Sequence, residues 1–262
     1  MKIIALLTDF GLKDQYAGLM KAVILGINPK ARIVDISHNV RAHDIKEAAF
    51  LLSASFKYFP RRSIFVVVVD PGVGSERRPI IIKTKNYYFI GPDNGVLSLA
   101  AREDGIKAVR AVENKNFFLS KVSSTFHGRD IFAPAAAYFL KGRPFACFGR
   151  QIRVIKEISF PQPKISKSKI TAEVIHADRF GNLVTNMKEK HLKGFGPGEI
   201  KASMGNKKIT RKYSTYAQAR PGEPFFITGS SGFLEISLKN KSAKEFFKIK
   251  NGSNHKIIVE VL

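Results

Sequence analysis

The chain is short of acidic residues and nearly lacks cysteine. In 262 residues there are 21 Asp and Glu against 44 Lys and Arg, and Cys147 is the single thiol. One cysteine excludes an intrachain disulfide and leaves no Cys/His spacing that would hold zinc. Its setting, Phe145-Ala146-Cys147-Phe148, reads as a small buried residue and not as a nucleophile. No segment approaches the roughly 20 apolar residues that span a bilayer. Residues 3–7 are apolar but too few for the core of a signal peptide. The expectation is a soluble cytoplasmic protein. Also missing are a Gly-x-Gly-x-x-Gly pattern, a phosphate-binding loop ending in Gly-Lys-Ser/Thr, any internal repeat and any long low-complexity run.

The deficit of acid leaves a formal charge of +23. Such an excess is either an electrostatic footprint for nucleic acid or a Lys-rich enzyme surface. The basic residues are spread along the chain, with short concentrations at 164–169 and 207–212, and no aromatic–basic motif accompanies them. Nucleic acid is therefore not the expected partner, and a basic nucleic-acid-binding protein is the alternative reading of the charge.

What is present divides in two. Residues 1–160 alternate apolar strand-like runs (3–7, 32–36, 64–69) with helical stretches (16–25, 45–58, 97–102, 132–140). Residues 80–84 and 87–90 read as a hairpin across Lys85-Asn86. This alternation predicts an α/β fold with a mostly parallel sheet and helices on its faces. Residues 161–169 have the composition of a linker. Residues 170–262 read as short strands (170–177, 199–204, 207–211, 224–228, 234–238, 256–262), with turn signals at Gly205-Asn206 and Asn251-Gly252 and one short helix at 243–248. The expectation there is a smaller antiparallel β-barrel domain.

Candidate site residues stand at strand ends, where open α/β sheets bind ligands. The run Phe65-Val66-Val67-Val68-Val69 stops at Asp70, followed by Pro71-Gly72-Val73-Gly74 and then Arg77 and Arg78. The first strand runs into Thr8-Asp9-Phe10-Gly11, with Asp14 beyond. A carboxylate there accepts hydrogen bonds from a ribose diol, and the missing phosphate cradle fits a nucleoside without phosphates. The plainer reading of Asp9 is a helix N-cap. Gly91-Pro92-Asp93-Asn94-Gly95 is turn chemistry at another strand end. In Phe126-His127-Gly128-Arg129-Asp130, His127 is either a proton-handling residue or a histidine packed at a helix start, and Asp130 reads as the cap. His38 and His43 lie in polar contexts and carry less signal. In the second half, Asp178-Arg179-Phe180-Gly181-Asn182 offers an aromatic face and an amide for a nucleobase. Gly229-Ser230-Ser231-Gly232 offers a backbone nest ahead of Glu235, although Ser-Ser-Gly is also a common turn.

Taken in order, these motifs resemble the S-adenosylmethionine hydroxide adenosyltransferase family, the hydrolases related to fluorinase and chlorinase, and the resemblance covers nearly the whole chain. It implies an α/β domain followed by a β-barrel domain. It also implies a homotrimer whose sites lie between the N-terminal domain of one subunit and the C-terminal domain of the next. The implied reaction is attack of water or hydroxide at the ribose C5′ of S-adenosyl-L-methionine, giving adenosine and methionine. The family's catalytic Asp-Arg-His set falls on Asp70, Arg77 and His127, and its ribose contact on Asp9. Its methionine-ammonium contacts fall on Asp14 and Asp178. The adenine surroundings fall on Phe180, Asn182 and the Leu238 backbone, and the loop around the methionine end on Ser230, Ser231 and Glu235. Fluorinases carry tyrosine at the Asp70 position and lack the histidine, so the resemblance favours water over halide as nucleophile. No cofactor or metal is expected, and Arg78 is left as a surface residue.

Overall fold

The apolar runs of the first half lie side by side in the computed structural model, which describes residues 3–192, 200–249 and 255–261. The strands are β1 (Ile3–Thr8), β2 (Arg32–Ser37), β3 (Ile64–Val68), β4 (Pro79–Thr84), β5 (Tyr88–Pro92) and β6 (Ile106–Ala111). They form one sheet in the order β2-β1-β3-β5-β4-β6. Neighbours from β2 to β5 are parallel, and β4 alone runs against β5 and β6. β1 and β3 are buried along their whole length because helices cover both faces. Ala5, Leu7, Phe65 and Val67 pack with α2 (Ile45–Ser55) and α3 (Ser98–Asp104). Ile4, Leu6, Ile64 and Val66 pack with α1 (Tyr16–Ile27) and α4 (Ala133–Leu140).

Most differences from the sequence reading are local. The helix expected over 45–58 ends at Ser55 and continues only as a 3₁₀ turn, Phe56–Tyr58. β6 was not expected; it alternates in burial and carries Lys107 and Arg110, so its apolar signal is weak. Cys147 is exposed, contrary to the expectation from its neighbours. A short 3₁₀ turn, Phe145–Phe148, buries Phe148 and leaves the thiol outward. Gly91 in β5 is required by space: a Cβ there would lie 2.4 Å from the Val67 carbonyl oxygen of β3.

The chain divides into two compact units, Met1–Ser159 and Phe160–Leu262. The second is a nine-stranded sheet built from β7 (Lys164–Ile165), β8 (Lys169–Ala177), β9 (Leu183–Lys188), β10 (Ile200–Met204), β11 (Lys207–Ile209), β12 (Arg211–Lys212), β13 (Phe225–Thr228), β14 (Phe233–Ser237) and β15 (Lys256–Val261). β7 pairs with β8, and the remaining order is β11-β10-β15-β8-β9-β14-β13-β12. All pairings are antiparallel except β12 with β13. Because β12 returns against β10, the sheet nearly closes into a barrel. Ile170, Leu183, Phe226, Ile236 and Ile257 fill its interior. Ser242 caps α5 (Ala243–Phe246) by accepting from the Glu245 N–H at 3.1 Å. β9 was not foreseen. Glu199, the Asn251-Gly252 turn signal and Leu262 lie outside the described residues. Among the described residues no helix is long and apolar enough to cross a membrane.

Candidate active site

β3 carries its buried run to Val69, and the chain then folds back on itself. The Val73 N–H donates to the Asp70 carbonyl at 3.1 Å, and the Ser75 N–H to that of Gly72 at 3.1 Å. Gly74 takes φ +79°, and a Cβ there would lie 2.6 Å from the Ser124 carbonyl, so this loop is pressed onto the segment leading to His127. Arg77 is thereby returned to the start of its own loop. Its Nε donates to both Asp70 oxygens, at 2.9 and 3.1 Å, and its Nη2 lies 2.6 Å from Oδ2. Nη2 also donates to His127 Nδ1 at 2.7 Å, and the guanidinium sits 5.4 Å from the Phe132 ring centre. The side chains of Asp70 and Arg77 are only 4% and 5% exposed, so the ion pair is shielded from water.

His127 precedes a π-helical turn, Gly128–Phe132, that leads into α4, with the Ala133 N–H donating to the Gly128 carbonyl. Asp130 does not act as the expected helix cap. It is fully buried, accepts from the Ser123 N–H at 2.8 Å and pairs with Arg129, tying down the loop ahead of His127. Burial, and then the Arg77 charge, lower the His127 pKa, against a smaller opposing pull from Asp70 and Asp130. The imidazole is therefore neutral at neutral pH. Arginine can only donate, so Nδ1 accepts, and the geometry assigns the ring proton to Nε2.

Asp9, at the end of β1, accepts from the His43 N–H at 2.9 Å. His43 holds the left-handed conformation at φ +66°. Asp9, Tyr16, His43, Asp70 and His127 line a cleft of about 280 Å³ together with Phe10 and Phe126, whose rings meet edge to face at 5.5 Å. Arg77 stands behind Asp70 and His127 and does not line this cleft. Asn94 braces the end of β3 by donating from Nδ2 to the Val69 carbonyl at 2.9 Å. Asp14 is exposed in the bend before α1 and is not among the cleft residues. Arg78 is more than a surface residue: Nε donates to the buried Asp93 at 3.0 Å and Nη2 to the Val154 carbonyl at 2.9 Å.

A second cleft, of about 840 Å³, lies in the barrel unit. Asp178 accepts from the Asn182 N–H and from its Nδ2, both at 2.8 Å. Gly181 between them has φ +83°, and a Cβ would lie 2.1 Å from Ser242 Oγ. Phe180 is 78% exposed, which leaves a large ring available at the cleft wall. Glu235, on β14, is buried with Tyr216 Oη 3.4 Å from its Oε2. Its carboxyl is pushed above the usual carboxylate range by burial and then by the charge of Asp178, with the Tyr216 hydroxyl opposing. Ser230 and Leu238 also line this cleft. Ser231 does not, and its buried hydroxyl has no hydrogen-bond partner among the described residues.

The residues expected from sequence thus fall into two groups, one in each unit, with Asp14, Arg77 and Ser231 off both cleft walls. Sequence reasoning missed Tyr16, Tyr216 and Ser242 as lining residues. Each stands outside any motif, although Tyr216 follows a Ser-Thr pair that marks a capped turn. His43, in a polar stretch with little sequence signal, also lines the Asp70 cleft. Among the described residues no group of His, Cys, Asp and Glu is arranged to hold a metal ion.

Comparison with known proteins matches both units. The SAM (S-adenosylmethionine) hydroxide adenosyltransferase N-terminal domain matches residues 4–149 and the C-terminal domain of the same family residues 172–256. An (R)-S-adenosyl-L-methionine hydrolase of Methanocaldococcus jannaschii is 36% identical over 259 residues, covering 95% of this chain and 93% of its own. One from Thermus thermophilus is 31% identical, covering 96% and 98%. A fluorinase from an Actinoplanes strain is more distant, 26% identical over 75% of each chain. The crystal structure of an uncharacterized conserved protein from Thermotoga maritima has a TM-score of 0.91 at 37% identity, over 98% of this chain and 99% of that one.

Proposed function

The chain belongs to the SAM hydroxide adenosyltransferase family, and on that premise we propose that it hydrolyses (R)-S-adenosyl-L-methionine to adenosine and methionine. The observation that carries this reading is the buried chain of contacts from Asp70 through Arg77 to His127. It holds a carboxylate and an Nε2–H donor at the wall of one cleft with Asp9, a partner for a ribose diol.

The sulfonium leaves as a neutral thioether, so methionine needs no general acid. What the reaction requires is a water held in line behind C5′, and positioning of this kind supplies roughly 7–11 kcal/mol. The Nε2–H of His127 donates to the water while Asp70 accepts from it. Because Nδ1 is occupied by an obligate donor, His127 positions the water and does not deprotonate it. As the C–O bond forms, the water oxygen becomes a strongly acidic oxonium. The Asp70 carboxylate takes that proton late and passes it to solvent, and no free hydroxide is held beforehand. Arg77 acts through both groups as a positioning residue. No cofactor or metal enters these steps.

In the barrel unit, the half-buried Asp178 and the buried Glu235 are two carboxylates without a cationic partner among the described residues, which suits a substrate ammonium; Asp14 is proposed as a further contact for it. Phe180, Asn182 and the Leu238 backbone are assigned to adenine, and Ser230 and Ser231 to the methionine end. The assembly we propose is a homotrimer in which the Asp70 cleft of one subunit is completed by the barrel unit of the next, working in the cytoplasm. The test is incubation with S-adenosyl-L-methionine, with and without chloride or fluoride, followed by chromatography. Adenosine in amounts independent of halide is expected; no adenosine, or a halogenated nucleoside, overturns the reading.

A further inference from the structure

At the opposite end of the α/β sheet from Asp70, a cleft of about 430 Å³ opens beside the first residues of β3 and β5. Its floor is aromatic: the Tyr88 ring meets Phe139 of α4 at 4.6 Å, and Phe139 meets Phe145 at 6.4 Å. Its rim carries Arg62, Lys83, Lys85 and Arg143, all exposed. Lys83 stands directly opposite Tyr88 in the β4–β5 pairing, so both side chains project from one face of the sheet.

Among the described residues none of these four cations pairs with a carboxylate. The contrast within the same unit is plain, since Lys21, Lys57, Arg102 and Arg150 each have an acidic partner. Asp104 is held by Asn86, whose N–H and Nδ2 donate to it at 2.7 and 2.6 Å. Arg62 is held at φ +68°, a strained region for a residue with a side chain, while its N–H donates to the Asn86 carbonyl at 2.7 Å. Such strain persists where surrounding structure imposes it and is frequent at ligand sites.

We propose that this cleft binds a small ligand bearing a phosphate chain. Cations from three separate segments converge on it, more charge than one carboxylate or monophosphate would neutralise. The volume suits a small molecule and not an extended nucleic-acid strand. The guanidinium forks of Arg62 and Arg143 match phosphate oxygens, and Lys83 and Lys85 add point charges. The aromatic floor accommodates a nucleoside if the chain belongs to a nucleotide.

Calorimetric titration of the full protein with inorganic tripolyphosphate and with ATP, at fixed ionic strength, tests this. Saturable binding is expected, weakened about tenfold for each cation neutralised in Lys83→Gln and Arg143→Gln. Turnover of S-adenosyl-L-methionine is unchanged in both variants. ATP binding tighter than tripolyphosphate assigns the ligand as a nucleotide, and equal binding assigns a free phosphate chain. The proposal is overturned if neither probe binds more tightly than sulfate, if the Lys83→Gln/Arg143→Gln variant binds as the parent does, or if only single-stranded RNA binds.

Discussion

Arg77 Nη2 donates to His127 Nδ1 at 2.7 Å while Nε of the same guanidinium spans both oxygens of Asp70. One planar fork thus fixes the carboxylate and the imidazole relative to each other. A lysine has a single ammonium and cannot reproduce this. We expect Arg77→Lys to lower kcat/KM by about two to three orders of magnitude, the scale of a misplaced catalytic group. Arg77→Met leaves Asp70 buried and unpaired, which costs about 3–5 kcal/mol in a urea melt. A melt unchanged from the parent would show that the pair is not buried in solution.

The lowered pKa of His127 gives a pH dependence with a definite sign. The unfolded histidine, near its ordinary value of about 6.5, binds a proton before the folded one does. The stability contributed by the neutral ring is therefore complete above that value and is lost as pH falls through the lower folded pKa. Activity follows the same limb, because an imidazolium would put a proton on Nδ1 against the guanidinium. We expect kcat/KM to be flat through neutrality and to fall in acid. His127→Asn keeps an oxygen acceptor for Arg77 without a titrating ring, so it should retain more activity than His127→Ala and lose this acid limb.

Much of this was legible in the residues and some was not. The buried run ending at Asp70 placed a carboxylate at a strand end because continuous β-branched sequence has few other readings. His127 stood out because glycine and a helix start follow it. β6 and β9 were hidden because short strands with polar or charged members carry little periodic signal. Arg78 and Arg77 are indistinguishable as letters. Only the return of the loop onto residues 123–125 sends Arg77 to Asp70 and Arg78 to Asp93. Tyr216 reaches Glu235 across the barrel unit, a tertiary contact that no local pattern encodes.

Two glycines separate a structural role from a functional one. At Gly91 an added Cβ meets the Val67 backbone oxygen at 2.4 Å, and neither strand can yield without breaking register. Gly91→Ala should cost about 1–3 kcal/mol of stability. At Gly229 the added Cβ would fall 1.7 Å from the Glu235 carboxylate, which ends a flexible side chain and can swing aside. Gly229→Ala should fold normally by melting and raise KM for the substrate. A melt lowered as much as that of Gly91→Ala would mean that Glu235 is fixed by packing.

Glu235 is disfavoured as an anion by burial and by Asp178, so its folded pKa lies above its unfolded one. Its contribution to stability is therefore present below the unfolded carboxyl value and is lost as pH rises through the folded value. Glu235→Gln removes that cost. The variant should melt higher than the parent near neutral pH, and the gap should close as pH falls below about 4, where the parent carboxyl becomes protonated in both states. A substrate ammonium reverses the balance by stabilising the anion. Binding to the parent should then release a proton and strengthen as pH rises through the Glu235 titration, while Glu235→Gln loses that dependence. Losing a charge-assisted contact corresponds to about a tenfold rise in KM with kcat nearly kept. Calorimetry in two buffers of different ionisation enthalpy reads the proton release, and its persistence in Glu235→Gln would show that Glu235 is not its source.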